Sequence, residues 1–124
     1  MKLRRLIAAL AVPATAAGLA LSVAPAASAD LPPVNMELSG PDSNVIGWWS
    51  YSEVSGTLKD HGQIAGGSTF TVVWFKNVNG RLVEWDRDLV STADNTWKNF
   101  KVTPDHNGTP FVADHLNLLG PSNG

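Results

Sequence analysis

Thr69-Phe70-Thr71-Val72-Val73-Trp74-Phe75-Lys76, then Asn77-Val78-Asn79-Gly80, then Arg81-Leu82-Val83-Glu84-Trp85-Asp86: this stretch reads as a β-hairpin. Side chains alternate between the two sides of an extended strand. Phe70, Val72 and Trp74 therefore share one face, and Thr71, Val73 and Phe75 the other. Both faces are substantially apolar, which predicts a central strand covered on two sides. Asn-Gly adopts positive φ at low cost, so Asn79-Gly80 is a strong turn signal. On the return, Val83 and Trp85 fall on one face and Glu84 and Asp86 on the other. That pattern predicts one side against the core and one in water.

Outward from the hairpin, short β-type runs recur every ten or so residues, separated by turn-forming clusters. They cover residues 45–51, 54–58, 69–76, 81–86, 97–103 and 111–118. The last run admits two readings. As a strand it turns Val112, Leu116 and Leu118 inward, with Asp114 out of place among them; as a helix it would start at Thr109-Pro110 and stop at Gly120-Pro121. The β character of the rest favours the strand. The expected fold is all-β, a small antiparallel β-sandwich or barrel of six to seven strands. Residues 45–120 are expected as its single domain. Residues 30–44, rich in Pro, Ser and Asn, are expected as a leading arm with one short strand at 34–38, and residues 121–124 as a tail.

Residues 1–29 have a different character. Lys2, Arg4 and Arg5 precede an apolar run broken by Pro13, and Ala27-Ser28-Ala29 supplies small residues before Asp30. This is the three-part pattern of a secretory signal peptide. A membrane anchor needs about 20 unbroken apolar residues, and Pro13 breaks the run. The Ala-rich run and its Arg4-Arg5 pair have a bacterial look. The expected location is secreted and extracellular, with no membrane association after cleavage. Removing three of the chain's 9 basic residues leaves 6 against 11 acidic ones, so the exported form carries a formal charge of −5. An acidic domain lacks the electrostatic footprint for nucleic acid. The chain has no cysteine, which excludes disulfides, thiol catalysis and thiolate metal sites. A domain this small must then hold together by packing alone.

Trp48 and Trp49 are adjacent, so in a strand they point to opposite faces. If one face is buried, one of the pair is exposed, and Trp49 would share its face with Tyr51. In the run that starts at Trp97, Phe100 and Val102 face inward, which leaves Trp97, Asn99 and Lys101 outside. An indole beside amides suits a sugar: the ring stacks on C–H faces while the amides bond hydroxyls. Trp49, Tyr51, Trp97 and Asn99 are therefore the candidate ligand-binding residues.

Other constellations point to structure rather than chemistry. Glu84 and Asp86 share a strand face, joined by Asp88 if the strand continues. Such a group could serve glycoside hydrolysis or hold calcium, but an open face beside Arg87 reads as charged surface. Asp60-His61, Asp105-His106 and Asp114-His115 repeat a pair without assembling a nucleophile or a third metal ligand. Asp60-His61-Gly62 and Asp105-His106-Asn107-Gly108 read as turns. The Gly-rich loop over residues 59–68 lacks a phosphate-binding pattern. No metal, cofactor or catalytic residue is expected.

Trp49-Ser50-Tyr51 resembles the Trp-Arg-Tyr tip of the small secreted bacterial α-amylase inhibitors, which are also all-β. Ser50 stands in place of the arginine, and the two disulfides of that family are impossible here, so its inhibitory residues do not carry over. The resemblance keeps a secreted inhibitor among the alternatives. The expectation from the residues is a non-catalytic extracellular binding domain, not an enzyme, with carbohydrate as the first ligand class. The alternative is a secreted protein-binding domain, an enzyme inhibitor or a self-associating surface component.

Overall fold

A computed structural model describes residues 32–123. The expected signal peptide, residues 1–29, lies outside the described residues. The described chain is all-β, with nine strands and no helix. β1 (Val34–Ser39), β2 (Ser43–Trp49), β3 (Val54–Asp60) and β6 (Trp97–Val102) form a four-stranded sheet in that order. β5 (Arg81–Thr92), β4 (Ser68–Val78) and β9 (His115–Asn123) form a three-stranded sheet with β4 in the middle. β7 (Asp105–His106) and β8 (Thr109–Pro110) make a small separate hairpin. All pairings are antiparallel.

The two main sheets are separate, so the chain is not a closed barrel, and nine strands replace the six or seven expected. The difference has local causes. The short segment that pairs Asp105 with Pro110 is too brief to show as an apolar run. The segment expected as one strand over 111–118 is divided: residues 111–114 lie between strands, and β9 starts at His115. Asp114 explains the break. Its carboxylate accepts from the Asn77 backbone N–H at 2.8 Å and lies 3.6 Å from Lys76 Nζ, so it secures the crossing instead of facing the core. Residues 34–39, in the stretch expected as an arm, are paired along their length with β2, and residues 121–123 continue β9.

The core lies between the sheets. Phe70, Val72 and Trp74 of β4 are fully buried, and they meet Met36, Val45, Val54 and Leu58 of the four-stranded sheet. At roughly 150–250 Å² each and about 25 cal/mol per Å², Phe70 and Trp74 contribute on the order of 4–6 kcal/mol apiece before entropy is counted. The Asn79-Gly80 turn forms as expected: φ is 55° and 82° at the two residues, and Val78 pairs with Arg81 across it. Positive φ at both central residues is what a two-residue hairpin turn matching the strand twist requires.

The return strand departs from simple alternation. Trp74 pairs with Asp86 and Phe75 with Glu84, so Trp85 is the extra residue of a β-bulge. Residues directly opposite one another share a face. Asp86 therefore joins the inward side with Trp74, while Glu84 lies outward with Phe75. The expected shared face for Glu84 and Asp86 is thus corrected by the bulge. Asp88, opposite Val72, is on the inward side as well.

Candidate functional site

The four-stranded sheet has one covered face and one open face, and its register defines both. Val45, Gly47 and Trp49 of β2 lie opposite Leu58, Gly56 and Val54 of β3, on the core side. Gly47 and Gly56 permit an unusually close approach there: a Cβ at either would strike a backbone carbonyl of the neighbouring strand. The intervening positions form the outer face in three rows. Asn35, Trp48, Ser55 and Lys101 make the first; Glu37, Ile46, Thr57 and Asn99 the second; Ser39, Asn44, Lys59 and Trp97 the third.

Trp97 and Asn99 are on this outer face, two residues apart on the edge strand β6. Trp97 is 66% exposed, the largest exposure among the described aromatic and aliphatic side chains that stand out from the surface. The Lys59 ammonium sits 4.5 Å from its ring centroid, a cation–π contact from the facing position of β3. Next along the face, Thr57 Oγ1 donates to Asn99 Oδ1 at 2.7 Å. This bond orients the amide and occupies its acceptor. Among the described residues nothing accepts from the Asn99 amide N–H groups, so both donors serve solvent or a ligand. Ile46, 43% exposed, and the half-buried Trp48 extend the apolar part of the face towards β1.

Trp49 and Tyr51 are elsewhere. Both are half-buried and pack against the core, edge to face, with ring centroids 5.6 Å apart. Burial, with help from the Asp114 carboxylate, pushes the Tyr51 hydroxyl up to about 12. Between them, Ser50 Oγ accepts from the Ser52 and Glu53 amides, which closes a tight turn. Trp48, not Trp49, is thus the member of the pair that shares a face with Trp97. The signal for this was Val45: if the β-branched residue faces the core, parity takes Trp49 inward and Trp48 outward.

Two groups of acids are embedded in structure. Asp42 and Asp60 are buried, and with the exposed Asp94 their carboxylate oxygens lie within 4.8 Å of one another. Asp42 accepts from the Gln63 and Ile64 amides, and Asp60 from the Gly62 and Asn95 amides and the Ser68 hydroxyl. The pair clamps the loop over residues 61–67 to the sheet. The Ser68 hydroxyl and the Asn95 amide hold the Asp60 carboxyl below the ordinary aspartate range. At the bulge, Trp74 Nε1 donates to Asp88 Oδ2 at 2.8 Å. Burial pushes the Asp88 carboxyl up, and nearby Asp86 and Asp105 add to the rise. Glu84 is instead paired with Arg87 through two bonds of 2.9 and 3.0 Å on the opposite face.

The three histidines are held by different neighbours. His61 Nε2 meets Asn44 Oδ1 at 2.7 Å, His106 stacks on Trp85 at 4.2 Å with Nδ1 donating to the Trp85 carbonyl, and His115 packs on Phe75. Asp60 and Asp105 accept from the Gly62 and Gly108 amides in the turns read from sequence. Comparison with protein-family models, characterised proteins and solved structures finds no match to this chain.

Proposed function

We propose that the protein is a secreted, non-catalytic binding domain that takes extracellular carbohydrate on the outer face of its four-stranded sheet. The supporting observation is the alignment on β6 of an exposed indole, Trp97, with an amide, Asn99, whose acceptor is satisfied and whose donors are free. The ring offers a flat stacking surface and the amide bonds hydroxyls. Ile46 and Trp48 add apolar surface to the same face. Retention on insoluble polysaccharides tests the reading. Trp97→Ala is expected to abolish retention while leaving the unfolding free energy within about 0.5 kcal/mol of the parent, as for other surface substitutions. Unchanged retention by that variant contradicts the reading.

A protein partner is the alternative, and a different surface favours it. Leu89, 63% exposed, and Leu119, 45% exposed, flank Thr71 on the outside of the three-stranded sheet. An exposed aliphatic pair of this kind is a common feature of contact surfaces. Light scattering of the purified protein separates the readings. A dimer lost in Leu89→Ser supports self-association, and a monomer at high concentration counts against it.

A further inference from the structure

The outer face carries a charge opposite to that of the domain as a whole. From residue 30 onward, 6 basic residues face 11 acidic ones. Yet Lys59 and Lys101 both lie on the outer face beside Trp97 and Asn99, while Lys98, opposite Leu58, is on the other side of the strand. The acid on the three rows of this face is Glu37, which belongs to β1, the far edge of the sheet. The arrangement along β6 is alternate and outward: Trp97, Asn99, Lys101, with Lys59 against the Trp97 ring. Lys101 lies opposite Ser55, four residues along β3 from Lys59. At about 3.3 Å per residue and about 4.8 Å between strands, the two lysine Cα atoms are about 14 Å apart. Lys59 is held at the Trp97 ring, so it and Lys101 mark two positions along the strand.

Resting on the carbohydrate reading above, we infer that the ligand is an anionic polysaccharide, a linear chain carrying carboxylates, lying along β6. Lys59 covers one face of the Trp97 ring, so a pyranose stacks on the other face, and a carboxylate that reaches past the ring edge meets the ammonium. Asn99 bonds the intervening hydroxyls, and Lys101 meets a second carboxylate further along. The rest of the acidic domain repels a polyanion, so attraction must come from this local patch.

Electrophoresis of the purified protein through gels containing polygalacturonate, hydroxyethylcellulose or dextran sulfate tests the inference. Polygalacturonate is expected to retard the protein and hydroxyethylcellulose not. Lys59→Gln and Lys101→Gln are each expected to weaken retardation about two- to fivefold, in line with the modest strength of exposed ion pairs. Arg81→Gln, which removes the same charge from the β4–β5 turn, should leave it unchanged. Added salt should weaken it. Trp97-dependent retardation by hydroxyethylcellulose equal to that by polygalacturonate overturns the anionic inference and leaves the carbohydrate reading standing. No retardation by any polymer overturns both. Retardation by dextran sulfate that survives Trp97→Ala marks simple ion exchange and also overturns the inference.

Discussion

Asp60 and Asp88 are both drawn away from bulk water, and their surroundings act on them in opposite directions. Asp60 is held ionised by the Ser68 hydroxyl and two backbone amides. A depressed carboxyl contributes stability above its unfolded pKa, and that stability is lost as pH falls through the folded value. Asp60→Asn is therefore expected to lower the urea midpoint at pH 7 and to converge with the parent in acid. Asp88 is the reverse: burial raises its carboxyl, against the opposing bond from Trp74. The fold favours the protonated form, so stability falls as pH rises from the ordinary aspartate range through the raised value. Asp88→Asn, whose amide oxygen can still accept from Trp74, is expected to raise stability at pH 7 by less than about 1 kcal/mol after solvent screening. The gain should vanish once both forms are neutral. Denaturant unfolding across pH checks both variants, and parallel curves for the two would contradict the assignment.

The elements differ in how openly their sequences declare them. Asn79-Gly80 dictates its turn because few other residues tolerate positive φ at two successive positions. Gly80→Ala at φ 82° is expected to cost about 1–2 kcal/mol by the left-handed strain of a Cβ, read as a lower denaturant midpoint. β4 is equally plain, since Phe70, Val72 and Trp74 alternate without interruption and all are buried. The bulge at Trp85 is not legible, because Glu84-Trp85-Asp86-Arg87 alternates well enough as a regular strand. What selects the bulge is tertiary: Trp85 packs against His106 and Phe111, from the β7–β8 hairpin and the segment after it. The face of Trp49 follows from Val45 by parity, but its contact with Tyr51 does not. The chain turns at Ser50, so Tyr51 does not extend the strand's alternation. For β6 parity suffices, and Trp97 with Asn99 emerges outward because Phe100 and Val102 pack inward.

Across the whole molecule, a cysteine-free chain spends its large aromatics unevenly. Trp74 anchors the core, Trp48, Trp49 and Trp85 are half-buried, and Trp97 stands on an open face. Packing accounts for Trp74, Trp49 and Trp85, while the half-buried Trp48 shares the open face. The fifth is left with a lysine over its ring and an amide two residues away. The most direct test of the binding face follows the five indole N–H signals by NMR as polygalacturonate oligosaccharide is added to the purified protein. The expected result is that the Trp97 signal moves most and the buried Trp74 stays fixed. Shifts confined to Trp85, or no shift at Trp97 under saturating oligosaccharide, would contradict the account.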